Sequence, residues 1–146
     1  VPFGDIQVSI RDHCRPANRI VLYRRMMYRL AQAIAEKHRY LALVTGESIG
    51  QVASQTLENL AAVSCVVSTS VFRPVIAMDK VDIIAQARRL GTYAISIEPS
   101  PDCCSVFMPP NPAIRSKIGD LEEDERSYPW QSLMQSAVEN LQVSDL

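Results

Sequence analysis

Between Asn18 and about His38, apolar residues recur at three- and four-residue spacing: Ile20, Val21, Leu22, Met26, Met27, Leu30, Ala31, Ile34 and Ala35. This spacing predicts an amphipathic helix. Its other face shows Arg19, Arg24, Arg25, Arg29 and Lys37, and arginines in that arrangement read first as a solvated face, with a polyanion contact as the alternative. A strand is expected over Tyr40–Thr45. A second helix, resuming at Gln51, carries Val52, Ala53, Leu57, Leu60 and Ala61 and runs out at Cys65–Val67. Val71–Ile76 is rich in β-formers, and its Arg73-Pro74 must sit at a strand edge or end. Asp79 is a good N-cap, Val81, Ile84, Ala85, Ala87 and Leu90 give another amphipathic face, and Gly91 is the expected C-cap.

Helix, strand, helix, strand, helix in this order implies βαβ units, hence an α/β fold with a parallel, Rossmann-like sheet covered by helices on both faces. The flanks are less regular. Val1–Phe3 resembles the tail of a strand ended by Gly4, Asp5–Asp12 has no clear period, and Cys14-Arg15-Pro16 is a break. Tyr93–Ile97 reads as a short strand, and Pro99, Pro101, Pro109, Pro110 and Pro112 hold an irregular segment around Cys103-Cys104. Residues 119–128 look acidic and loose, and Trp130–Leu141 reads as a terminal helix that packs back.

The chain has 146 residues, 47% of them hydrophobic, and a net charge of -1, so it can bury one real core and is neither disordered nor broadly basic. The charge is uneven. Residues 1–40 carry eight Lys/Arg against three acids, whereas residues 117–146 carry two bases and seven acids. No stretch approaches the roughly 18 consecutive apolar residues of a membrane span, which points to no membrane and to the cytosol. Four cysteines do not make a disulfide framework at this length. Cys65 is expected in the core, and Cys14 is left open. The start at Val1, without methionine, sets the expectation of a piece of a longer protein.

The chemistry concentrates in Leu41–Thr56, L-A-L-V-T-G-E-S-I-G-Q-V-A-S-Q-T, which reads as strand, tight turn and helix. In an open α/β sheet ligands bind at such a place. Gly46-Glu47-Ser48-Ile49-Gly50 matches the G-x-S-x-G of a hydrolase nucleophile elbow. That chemistry needs a histidine downstream, and His13 and His38 both lie upstream, so Ser48 as a hydrolase nucleophile is the weaker reading. Phosphate or nucleotide handling suits the residues better. Gly46 and Gly50 permit close backbone approach, Ser48 can cap the helix, and Gln51, Ser54 and Gln55 offer hydrogen bonds; Glu47 would hold a sugar hydroxyl or Mg²⁺. A plain capped turn remains the alternative. Cys103 and Cys104, in a proline-held loop, are candidates for a reactive thiolate or for structural thiols. Arg73 and Lys80, at the same sheet edge, could meet phosphate or form an ordinary salt bridge.

Taken together, L-V-T-G-E-S-I-G-Q-V-A-S-Q-T-L-E-N-L, R-P-V-I-A-M-D-K-x-D-I-I and D-C-C-S-V-F with N-P shortly after resemble the 4-thiouridine tRNA sulfurtransferase family, also linked to thiamine biosynthesis. The resemblance runs from V-P-F-G through Arg115. It implies a PP-loop ATP pyrophosphatase (adenylation) domain of adenine nucleotide alpha hydrolase-like fold, partial over 1–118. Residues 119–146 would then be an acidic linker and a C-terminal helix packed on that domain. It further implies ATP with Mg²⁺, tRNA as substrate and a cysteine desulfurase as sulfur donor, and it leaves a homodimer open. By the same resemblance Gly46, Glu47, Ser48, Gln51 and Gln55 would serve the nucleotide, and Cys103 or Cys104 would carry the sulfur. The family's S-G-G-x-D-S loop, its THUMP region and any rhodanese domain have no counterpart in the sequence. Little or no turnover is therefore expected of this piece alone, and a non-catalytic nucleotide-binding or interaction module of the same fold is the competing hypothesis.

Overall fold

The computed structural model describes residues 1–100 and 106–143. Helix α1 (Gly4–His13) leads through a 3-10 turn (Pro16–Asn18) into the long α2 (Arg19–His38), then β1 (Ala42–Val44). A second 3-10 turn (Ala53–Gln55) precedes α3 (Leu57–Ser64), β2 (Ser70–Phe72), α4 (Lys80–Arg89), α5 (Tyr93–Ser96), α6 (Ile118–Arg126) and α7 (Trp130–Glu139). Among the described residues β1 and β2 form a two-stranded parallel sheet, with Leu43 opposite Val71. The architecture is α/β, a parallel sheet flanked by helices.

Helix α2 organises the core because it packs against α1, α3, α7 and β1 at once. Leu22, Tyr23 and Met26 are fully enclosed with Ile10 of α1, Val63 of α3 and Leu121 of α6. The strand expected from Tyr40 begins only at Ala42, since Arg39 turns left-handed (φ 59°) and the Tyr40 N–H donates to the Ala35 carbonyl at 2.8 Å. That bond closes α2 and leaves Tyr40 unavailable to the sheet.

Several other expectations are corrected. Val1–Phe3 is no strand: Phe3 is the N-terminal cap residue of α1, which absorbs the segment without a clear period and buries Ile6 and Ile10. The helix expected from Gln51 starts at Leu57. Gly50 (φ 78°) reverses the chain, its N–H donates to the Gln55 carbonyl at 2.9 Å, and Thr56 caps α3 through the Asn59 N–H. The second strand stops at Phe72, and Arg73-Pro74 begins a turn closed by Ile76 N–H on the Arg73 carbonyl. Tyr93–Ser96 is helical, with Ile95 and Ile97 facing solvent rather than a neighbouring strand. Asp79 occupies the N-cap position of α4 in extended backbone without a side-chain cap bond. Cys65 is exposed rather than in the core.

The acidic stretch 119–128 is not loose. It forms most of α6, whose Leu121, Asp124 and Glu125 are buried. Glu125 receives Arg25 in a bidentate pair (Nε to Oε1 2.7 Å, Nη2 to Oε2 2.8 Å) and Arg29 through both terminal nitrogens (2.6 and 2.9 Å). Asp124 accepts from Asn18 Nδ2 at 2.7 Å. Arg29 also lies over the Trp130 ring, 4.2 Å from its centroid, which ties α7 to the same cluster. Arg25 and Arg29 of α2 are thus turned inward to an acid, not outward to water; Arg25 is only 2% exposed.

Burial pushes the Glu125 carboxyl up, but the hydrogen bonds and charges of Arg25 and Arg29 outweigh burial and hold it below its ordinary value of 4.5. A depressed carboxyl is protonated first in the unfolded chain, so its stabilisation is complete above about pH 4.5 and is lost as the pH falls through the folded value. Glu125→Gln is therefore expected to lower stability at pH 7 and to flatten its dependence below pH 4.5. Urea titrations at several pH values check this, and an unchanged acid limb in the variant would remove Glu125 from that role.

Candidate functional site

Parallel pairing places the carboxyl ends of β1 and β2 side by side, and both chains leave the sheet there. The Thr45 N–H donates to the Phe72 carbonyl at 3.0 Å, and the Ile49 N–H reaches the Ile76 carbonyl at 2.9 Å, so the two exit loops run together. Between them sits Glu47, only 4% exposed. Its carboxylate accepts from Arg73 Nε (2.7 Å), Tyr28 Oη (2.6 Å) and Thr45 Oγ1 (3.0 Å), and it pairs with Arg24. Arg73 also donates to Ser64 Oγ at 2.6 Å and Arg24 to Ser54 Oγ at 3.2 Å. One carboxylate therefore joins α2, both strand ends, α3 and the second 3-10 turn.

This geometry changes what Glu47 can do. Its Oε2 is filled by Arg73, Tyr28 and Thr45 and its Oε1 is paired with Arg24, so the carboxylate is committed first to internal partners. Among the described residues no group of three or more His, Cys, Asp or Glu could hold a metal ion. Arg73 takes the salt-bridge role rather than facing an open anion site.

Ser48 is also committed internally. Its Oγ donates to the Met78 carbonyl at 2.6 Å and its N–H to Gln55 Oε1 at 3.2 Å, so it braces two loops instead of capping a helix. His13 Nδ1 lies against the Ser9 carbonyl and His38 stacks on Tyr40, so neither serves Ser48 as a base. The hydrolase reading ends there. Gly46 has open space where a Cβ would stand, whereas Gly50 is needed for its left-handed turn. Gln51 is exposed at the tip of the turn.

Beside this turn opens a cavity of about 260 Å³ lined by Ile20, Arg24, Ser54, Gln55, Met108 and Pro112, together with Val52 and Ala53. Of the five residues assigned to a nucleotide from the sequence, Gln55 lines it; Gly46, Glu47, Ser48 and Gln51 shape or flank the turn. Arg24 is the wall residue that sequence reasoning missed, because a helical arginine carries no signal of its partner twenty residues on.

Cys103 and Cys104 lie outside the described residues. The chain that follows them is firmly attached. Asn59, fully buried, donates to the Ala53 and Ala113 carbonyls (both 2.8 Å) and accepts from the Ser116 N–H at 2.9 Å. The Ala113 N–H bonds Ala17, and Thr56 Oγ1 bonds the Ile114 carbonyl. Of the other thiols, Cys14 is buried; burial pushes it up to about 11, so it is protonated at neutral pH and is no nucleophile.

The model of the thiamine biosynthesis protein (ThiI) family matches residues 1–129. The chain belongs to that family. It is 47% identical over 143 residues to a probable tRNA sulfurtransferase of Thermus thermophilus, covering 98% of this chain and 35% of that protein. A protein of the same description from Moorella thermoacetica is 44% identical over 142 residues, covering 97% and 36%. A crystal structure of a 4-thiouridine synthetase in complex with RNA and bound ATP superposes with a TM-score of 0.89 at 40% identity, over 96% of this chain and 36% of that one. The chain thus spans about a third of the length of these ThiI-family relatives. No helix among the described residues is long and apolar enough to cross a membrane.

Replacing Glu47 by Ala leaves Arg24 and Arg73 without their shared anion in a poorly solvated place. Loss of one partner from such a cluster costs ~3 kcal/mol, which lowers the melting temperature of a chain this size by roughly 10 °C. Thermal unfolding followed by circular dichroism checks it; a drop below about 2 °C would mean the carboxylate holds little together.

Proposed function

We propose that this chain is the later part of the adenylation domain of an ATP-dependent tRNA sulfurtransferase that forms 4-thiouridine. The observation that carries this reading is the close superposition on a 4-thiouridine synthetase described with RNA and ATP, at 40% identity along nearly the whole chain. The cavity at the carboxyl edge of the parallel sheet, walled by Arg24 and Gln55, supports it, since this edge is where open α/β sheets take ligands. The family's name adds a link to thiamine biosynthesis.

In this reading a uridine O4 attacks the α-phosphorus of ATP and pyrophosphate departs, which leaves the oxygen as an AMP ester and a good leaving group. The terminal sulfur of a persulfide on Cys103 or Cys104, charged by a cysteine desulfurase, then attacks C4 as AMP leaves with the former C4–O4 bonding pair. A second thiol opens the resulting disulfide, so sulfur stays on the base and a cysteine disulfide forms. Arg24 and Gln55 contribute charge and a hydrogen bond at the cavity wall. Ser48 and Gly50 fix the turn along which Gly46 and Gln51 lie, and Glu47 acts by holding Arg24 and Arg73. The substrate would be a tRNA, and a cytoplasmic location suits that substrate.

The test is calorimetric titration with ATP of the longer sulfurtransferase that would carry this sequence. Gln55→Ala is expected to weaken binding about tenfold, the order of one hydrogen bond to a charged ligand, while 4-thiouridine formation falls with it. Unchanged ATP affinity in the variant would move the nucleotide away from this cavity.

A further inference from the structure

The far end of α2 carries a surface that the fold does not use. Arg39 follows the helix with φ 59°, and its N–H closes the last turn on the Glu36 carbonyl at 3.1 Å. A left-handed residue at this position is ordinarily glycine or asparagine, since a Cβ there costs free energy. The Arg39 side chain gains nothing in exchange inside the fold: among the described residues neither it nor Lys37 makes a side-chain hydrogen bond or an ion pair. The reversal also brings together the residues on either side of Arg39. The His38 and Tyr40 rings stack, with centroids 5.6 Å apart and planes inclined by 16°, yet both residues are exposed, Tyr40 by 63%. Glu36, the acid next to this stretch, lines a separate cavity with Trp130 and Met134 on the α7 side.

We propose that Lys37, His38, Arg39 and Tyr40 form a contact surface for RNA, on which an unpaired base stacks against the His38 and Tyr40 rings while Lys37 and Arg39 meet the flanking phosphates. Its functional meaning rests on the tRNA-modifying reading above; its geometry does not. Aromatic faces open to water, with cations beside them, are what unpaired bases and their phosphates require, and such stacking tolerates any sequence because every base has a π-face. The charge of Lys37 alone would be explained by the helix C-terminus, whose dipole it complements. That dipole explains neither an exposed stack of two rings nor a strained turn spent on an arginine without a partner. The left-handed turn instead holds the Arg39 cation beside the rings at a fixed place. The surface is distinct from the nucleotide cavity: the helical rise from Arg24, in the cavity wall, to His38 is about 21 Å, which puts it at the amino end of β1. An RNA held here is anchored away from the reacting edge.

The experiment measures tRNA affinity by fluorescence anisotropy across a salt series, in the longer protein that would carry this sequence, beside its ATP affinity and melting curve. Tyr40→Ala is expected to weaken tRNA binding about tenfold with its salt dependence kept, and Tyr40→Phe, which keeps the ring face, to bind as the wild type does. Arg39→Gly is expected to weaken binding severalfold at low salt and to lower the slope of log affinity against log salt by about one. Its melting temperature is expected to stay or rise, since glycine suits the left-handed turn. ATP affinity stays unchanged in all three variants. Unchanged tRNA affinity in Tyr40→Ala and Arg39→Gly overturns the proposal and leaves the rings to a protein partner. Equal loss in Tyr40→Phe and Tyr40→Ala overturns it too, as does a fall in affinity matched by a fall in melting temperature, which would report loss of fold. A wild-type protein that binds no tRNA overturns it as well. A wild type that binds tRNA through these residues yet forms no 4-thiouridine with ATP and a persulfide donor removes the sulfurtransferase reading and keeps the surface. One that forms 4-thiouridine with a tRNA affinity indifferent to these residues does the reverse.

Discussion

A single buried carboxylate decides the shape of the carboxyl edge of the sheet. Two strands of three residues each cannot hold a parallel sheet in register by main-chain bonds alone, so side chains must supply the rest. Glu47 does this by accepting from its own strand end (Thr45), from the neighbouring strand end (Arg73) and from the helix behind (Arg24, Tyr28). Arg73 passes the connection to Ser64 on α3, and Arg24 passes it to Ser54. The turn between Gly46 and Gln55 is then braced from below, and Ser48 and Gln55 complete it from within.

A second acid performs the same service on the other side of α2. Glu125 gathers Arg25 and Arg29, while Arg25 also reaches the Ala62 carbonyl of α3, so α6, α2 and α3 are joined at one buried point. Together with Asn59, which staples residues 113 and 116 to α3, these contacts bring three distant parts of the chain around one cavity. The cavity is built by that convergence: α2 supplies Arg24, the turn after β1 supplies Gln55, and the segment 106–112 supplies Met108 and Pro112. The apolar core gives α2 its place, and the polar clusters give its neighbours their orientation.

How much of this could be read beforehand follows from the range of the interactions. The long helix, the order of strand and helix, the break at Arg73-Pro74 and the glycine stop at Gly91 rest on spacing or single-residue backbone limits, and they are visible in the sequence. So was the family, from long ordered matches. The folding of 119–128 was not, because its acids become helical and buried only through arginines a hundred positions away. The inward pairing of Arg24, Arg25 and Arg29 is hidden for the same reason, and a carboxylate in a glycine turn does not reveal internal partners such as those of Glu47. The late start of α3 turned on the left-handed Gly50, whose effect reached Gln55 through a bond no periodicity shows.

The most direct test of the account is hydrogen–deuterium exchange, with and without ATP, of the longer protein that would carry this sequence. ATP is expected to slow exchange of the amides in residues 46–55 and 106–112, which enclose the cavity, and to leave α7 unaffected. Slowing confined to α4 and α5, or absent from residues 46–55, would contradict a nucleotide site at the carboxyl edge of this sheet.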